Sequence, residues 1–221
     1  ASSLEILAHR IAWSVFVMVA LLFASRRVPE FRAILASPRT TRLLVAAAVL
    51  VSVNWGTYIW GVNNGHVVET ALGYFINPLV NVSMGVVIMG ERLRKVQWIA
   101  LAFAFVAVLV LAWDYGRPPY VALTLAFSFA LYGLLKKKAD VDAIESLTFE
   151  TLLISPVAFG YLIYLGVSGQ SAFGSHGVTH ALLLASTGIA TAGPLLMFGA
   201  AAIRVKLSTL GLLQYIAPTS Q

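Results

Sequence analysis

Along the chain, long apolar stretches alternate with short polar ones. Uncharged runs cover Ile11 to Ser25, Leu43 to Gly65, Thr70 to Gly90, Val96 to Trp113 and Ala181 to Ile203. Each lies near or above the roughly 18–20 residues that an α-helix needs to cross the hydrocarbon core of a bilayer. The pattern predicts seven complete spans, at about 4–25, 43–62, 67–90, 96–113, 119–135, 146–165 and 181–203, with an eighth beginning at about 207. A helix from Leu207 to Gln221, at about 1.5 Å per residue, covers only part of a bilayer, as expected of a chain cut short.

The polar segments carry a second pattern. Arg26, Arg27, Arg32, Arg39 and Arg42 follow the first span, loop 63–66 has no basic residue, and Arg92, Arg94 and Lys95 follow the third. Loop 114–118 has only Arg117, Lys136 to Lys138 come next, 166–180 has none, and Arg204 and Lys206 close the series. Thirteen of fifteen basic residues thus fall on one side, which the positive-inside rule makes cytoplasmic; Arg117 and Arg10 are the exceptions. The first residues then lie outside, which an earlier span would explain.

Composition agrees. The chain is 59% hydrophobic and 11% charged, against roughly 45–50% and about 25% in soluble domains. The net charge of +6 is topological, because the bases sit in short clusters and form no continuous face for nucleic acid. Cysteine is absent, so disulfides and thiolate metal sites are excluded. No P-loop, zinc-type histidine pair or GxSxG elbow is present, and no cofactor or metal site is expected.

A shift of 139 residues lays Leu43–Ala46 (LLVA) on Leu182–Ala185 (LLLA) and Thr70 on Thr209; 140 lays Pro78 on Pro218; 141 lays Ser14 on Ser155. The shift carries spans onto spans of opposite direction, the mark of an inverted-topology repeat of about five spans per unit. The expected fold is all-α, a polytopic transmembrane bundle.

Polar residues inside spans are the candidate site. Thr70, Tyr74, Asn77 and Asn81 recur at steps of four, three and four, so they share a helix face that lipid would not tolerate and that must look into the bundle. Interhelical hydrogen bonding and the lining of a solute pathway are both open to them. Pro78 sits mid-helix and frees a carbonyl there, which favours a cavity. One span earlier, Asn54, Trp55 and Tyr58 are candidates for a cavity wall, and Trp60 fits an interfacial belt. Thr124, Ser128 and Tyr132 form a further seam, as do Thr187 and Thr191 ahead of Pro194.

Arg10 is the costliest residue to insert, at ~2.5–3.5 kcal/mol mid-helix. It either snorkels or pairs with Glu69, which enters the membrane from the same side; a shared anionic or polar ligand is the third option. His9 adjoins the pair as a proton acceptor near neutral pH. Glu150 matches His9 under the 141 shift, and either serves coupling or caps Thr148 and Thr151. The Gly90–Lys95 run reads as an anchor in which Glu91 pairs with a neighbouring base.

The stretches HRIAWS, NWGTYIWGVNN, ETALGYFINPLVN, MGERLRKVQW, LAFSFALYGLLKKK and LSTLGLLQYIAPT resemble the RarD branch of the EamA-type drug/metabolite transporter superfamily. The likeness runs over nearly the whole chain, and the ALGYFINPL element is specific to that branch. It implies ten helices in two inverted repeats, of which about seven and a half are present here. Residues 1–113 correspond to the first EamA repeat without its first helix. Residues 118–221 correspond to the second without its C-terminal helix and a half. Asn63, Gln214 and Tyr215, within the shared stretches, join the pathway, and Pro78, Pro194 and Pro218 are the expected kinks. The implied activity is that of a permease in a bacterial inner membrane, secondary-active, moving small organic solutes by alternating access. Lipid, a small-molecule solute and a second copy in a homodimer are the partners this allows. The rival class is an integral-membrane enzyme or assembly factor, but no loop supplies a nucleophile and base, or paired acids, at one face.

Overall fold

The structure is a computed structural model that describes residues 2–116, 118–171, 173 and 177–216. Among these the chain is helical throughout, with no strand: α1 (Ser3–Ala24), α2 (Val28–Ala36), α3 (Pro38–Asn63), α4 (Val67–Val87), α5 (Lys95–Asp114), α6 (Tyr120–Ala139), α7 (Ala143–Val167), α8 (Gly177–Arg204) and α9 (Leu207–Gln214). Seven of them, all but α2 and α9, are long and apolar enough to cross a membrane. The expected spans and helices agree to within a few residues.

Two differences have local causes. The expected loop 26–42 holds α2 and the start of α3. Pro29 and Glu30 suit a helix's first turn, and Pro38 sets φ for the first turn of α3. Lys136 to Lys138, expected in a loop, lie on the last turn of α6, where cations favour the negative end of the helix dipole.

The chain divides into two compact units: Ala1–Val49 with Lys138–Ala200, and Leu50–Lys137 with Ala201–Gln221. In the first, α1 packs along α7, while Ile34, Leu44 and Phe149 form a core beside it. α8 approaches α1 so closely that a methyl group on Gly188 would sit 2.5 Å from the Trp13 carbonyl carbon. In the second, α4 packs along α9 and α5, and Leu72 and Ile76 meet Ala122 and Ala126 of α6. Of the most apolar 18-residue stretch, only 6% is buried in α5, against 61% in α4. A helix apolar on all sides and covered on almost none is stable only in an apolar solvent.

Helix starts keep a regular offset. α1 and α7 begin at Ser3 and Ala143, α3 and α8 at Pro38 and Gly177, α4 and α9 at Val67 and Leu207, so these starts lie 140, 139 and 140 residues apart.

Candidate functional site

The second unit holds an amide cluster beside a proline. Pro78 has no N–H, so the carbonyl one turn earlier loses its helical partner. Gly211 of α9 lies against this point, since a methyl group there would meet the Pro78 carbonyl at 3.0 Å and the Val82 side chain at 2.9 Å. That approach brings Gln214 onto α4. Its Oε1 accepts from Asn81 Nδ2 at 2.7 Å and from Asn77 Nδ2 at 3.2 Å. Asn77 and Asn81 are buried, and the Asn81 Oδ1 has no hydrogen-bond partner among the described residues. Thr70 is buried as well, with its hydroxyl donating to the Val67 carbonyl at 2.7 Å.

Tyr74, expected on the same face, is 50% exposed and its ring packs edge-on against Tyr58 at 5.9 Å. α9 runs antiparallel to α4, with Ser208 near Gly85 and Gly211 near Pro78. Trp55 is buried. Asn54 donates to the Leu125 carbonyl at 2.9 Å and to Ser128 Oγ at 3.0 Å, an interhelical bond between α3 and α6. Asn63 is exposed at the end of α3, and Gln214 and Tyr215 are half-buried. Thr124 is exposed while Ser128 and Tyr132 of the same seam are buried. Pro194 lies within α8. Pro218 lies outside the described residues.

Glu69 and Arg10 each make bonds within their own unit. Buried Glu69 accepts from the Tyr115 hydroxyl, from the Val121 backbone N–H at 3.1 Å and faces His66 Nδ1 at 3.1 Å. Val121 is the second residue of α6, so this carboxylate occupies a helix N-terminus, where the dipole favours an anion. Arg10 belongs to the first unit, and its Nε donates to Thr191 Oγ1 of α8 at 3.0 Å. Nearby, His9 is buried and stacked on Phe173 at 5.0 Å; among the described residues neither of its ring nitrogens has a hydrogen-bond partner. Glu5, one turn earlier on α1, is buried too. Glu150 is buried on α7, while Thr148 and Thr151 donate to the backbone carbonyls of Ile144 and Leu147.

Two joints between helices lie at the basic ends of the spans. Glu91 does not serve as the partner of a neighbouring base. Its two oxygens accept from the Leu207 and Ser208 backbone N–H groups, each at 2.8 Å, at the start of α9. Burial works to raise this carboxyl, but bonds from Ser208 and Leu207 and the nearby Lys137 charge outweigh it and hold it below its ordinary value. Lys137 Nζ donates to the Val205 and Ala202 carbonyls at the end of α8, at 2.5 and 3.3 Å. In the first unit, Arg27 Nη1 donates to Asp142 at 2.6 Å and to Glu145 at 2.9 Å, before and within the first turn of α7. Bonds to Asp142 and then Glu145 push the guanidinium further above its ordinary value.

The sequence reading passed over Glu5, Glu145 and Lys136, all buried. An ionisable residue on the apolar side of a helix end is the sign that was available for each. A groove of about 710 Å³ between α4, α5 and α6 is lined by Ile76, Leu79, Trp98, Phe105 and other apolar side chains, and none of the expected pathway residues lines it.

Seven membrane-crossing helices with amides and carboxylates turned into their seams define a polytopic α-helical membrane protein. Comparison with known proteins carries this further. The EamA-like transporter family matches residues 1–113. A Protein RarD of Streptomyces exfoliatus is 58% identical over 219 residues, which is 99% of this chain and 70% of that protein. The Protein RarD of Escherichia coli K12 is 46% identical over 97% of this chain and 73% of its own length. An uncharacterized transporter of Vibrio cholerae is 44% identical over 99% of this chain and 72% of its own. No solved structure matches. The chain belongs to the EamA-like transporter family, in its RarD-like branch, and is a multi-pass membrane transporter of the drug/metabolite type.

Proposed function

We propose that the chain is a secondary-active permease of a bacterial inner membrane that moves small organic solutes by alternating access between two inverted repeats, 1–113 and 118–221. The observation that carries this is the pairing of repeat-mates. The offset of 139 or 140 residues relates α1 to α7 and α4 to α9, and these are helices that pack on each other within each unit. Mates that share a seam can exchange which end of the seam is open by small rigid movements, which is how inverted repeats give alternating access.

The amide cluster of Asn77, Asn81 and Gln214 supplies hydrogen bonds without charge, and so suits solutes with neutral polar groups. His9 and Glu150 are the titratable candidates for coupling to protons. Glu69 is occupied at the start of α6 and is the weaker candidate. The sequence has no nucleotide site, so the drive is an ion gradient, exchange or passive flow.

A Pseudomonas aeruginosa relative, 34% identical, bears the name Chloramphenicol-sensitive protein RarD, which makes chloramphenicol the first solute to try. Flux into proteoliposomes is measured for chloramphenicol and a panel of amino acids and amines, with and without a pH gradient. Saturable flux of at least one solute, with transport reduced in Asn81→Ala, is expected. Flux equal to that of empty liposomes across the panel, with hydrolytic or transfer activity on lipid, would move the reading to a membrane enzyme.

A further inference from the structure

The joint between α8 and α9 is gripped from both sides. The end of α8 exposes the carbonyls of Ala202 and Val205, the negative end of a helix dipole, and Lys137 donates to both. The start of α9 exposes the Leu207 and Ser208 amides, the positive end, and both oxygens of Glu91 accept from them. Gly85 of α4 makes room for the carboxylate, since a methyl group there would lie 2.8 Å from Glu91 Oε2 and 2.9 Å from the Ser208 nitrogen. The same helix, α9, places Gln214 on Asn77 and Asn81 less than two turns further on.

We propose that Glu91 and Lys137 are positioning residues that clamp the α8–α9 joint, hold α9 in register on α4, and must let go for α9 to part from α4. As the closed state of a gate on the basic side, the clamp rests on the permease reading above; as a grip on α9 it stands alone. α9 has no acid of its own in the first turn, so the anion that meets its first amides comes from another segment. The charged groups on the segments meeting there are Lys136, Lys137 and Lys138 at the end of α6, Arg204, Lys206 and, on Glu91's own segment, Arg92, Arg94 and Lys95. Glu91 is held ionised by the joint, so the grip is complete above the ordinary carboxylate range and is lost as pH falls through and below it.

Absence of cysteine makes the test direct. Spin labels at Ser83→Cys and Leu213→Cys, both exposed positions, report the α4–α9 distance in nanodiscs. One short population is expected at neutral pH. Glu91→Gln should raise a longer population about tenfold, the scale of losing charge-assisted bonds at a helix end. Acidification below about pH 4 should raise the same population in the parent, and leave Glu91→Gln unchanged. Exchanging the charges, Glu91→Lys with Lys137→Glu, should fail to restore the short distance, because each charge then faces the wrong helix end. Restoration by that exchange, or a distance indifferent to both Glu91→Gln and pH, overturns the proposal. Flux measured on the same samples separates the two ideas: absent flux with an intact clamp response defeats the permease reading alone.

Discussion

The starts of α7 and α9 solve one problem in two ways. Each helix begins at a basic joint and leaves amides without helical partners. α7 carries its own negative charge, with Asp142 before the first turn and Glu145 within it, and Arg27 donates to both. Asp142 spends its carboxylate on that arginine and makes no side-chain cap. α9 begins Leu-Ser-Thr-Leu with no acid, so the anion comes from Glu91, 116 residues away in the chain. A helix with built-in charge is steadied by an ion pair at its surface, whereas a helix without it depends on the docking of another segment. In the first unit the charge pair supplements the packing; in the second the charge sets the packing.

If so, breaking contacts between helices should hurt the first unit most. Gly188→Ala places a methyl group 2.5 to 2.8 Å from three Trp13 atoms, two of them backbone, which cannot rotate away. A loss of about 3 kcal/mol, near the upper end of overpacking costs, is expected in a reversible unfolding titration in mixed micelles. Gly211→Ala meets a valine methyl, the Asn81 Cβ and a carbonyl at 2.9 to 3.0 Å. These contacts are less close than those at Gly188 and two of the three are side-chain atoms, so about 1–2 kcal/mol is expected. A larger loss for Gly211→Ala than for Gly188→Ala would reverse the comparison.

Next in size is Gly85→Ala, which crowds Glu91 and the Ser208 nitrogen together, at about 1 kcal/mol, the typical worth of a helix cap. Because it acts through the carboxylate, it should cost much less in a Glu91→Ala background. A double-mutant cycle that comes out additive would show that Gly85 matters only for space.

The spans were legible because bilayer thickness sets the length of an apolar run, and no other force in the chain competes with it. Burial of Thr70, Asn77 and Asn81 was legible for a similar reason, as a polar stripe at helical spacing has only one way to avoid hydrocarbon. Partners were not legible. No charge pattern announces that Arg10 meets Thr191, or that Glu69 meets Tyr115 and the start of α6 at Val121. Glu91 sits among bases in the sequence, so a local ion pair was the natural reading, while the stronger attraction is to two amides at a helix end. Charge pattern likewise assigns Lys136 to Lys138 to a span end but does not distinguish a loop from the last turn of a helix. Side and depth are one-dimensional properties; partners depend on which helices meet.

The smallest effect tests the surface pair. Arg27 and Asp142 are 38% and 42% exposed, so water and salt compete for their attraction. Arg27→Gln should lower thermal stability at low ionic strength, and the difference from the parent should shrink towards zero in about 1 M salt, where screening acts over roughly 3 Å. Glu145, only 2% exposed on its side chain, is the part of the pair that salt reaches least, and it sets whatever difference persists. Acid cannot open this joint from the arginine, whose proton is held more tightly than usual by both carboxylates. Glu91→Gln, measured beside it, should keep most of its effect in the same salt, because its amides lie within 2.8 Å and bond directly. Equal salt sensitivity in the two variants would mean that both joints are ordinary surface electrostatics, and the distinction between a charged helix and a docked one would go with it.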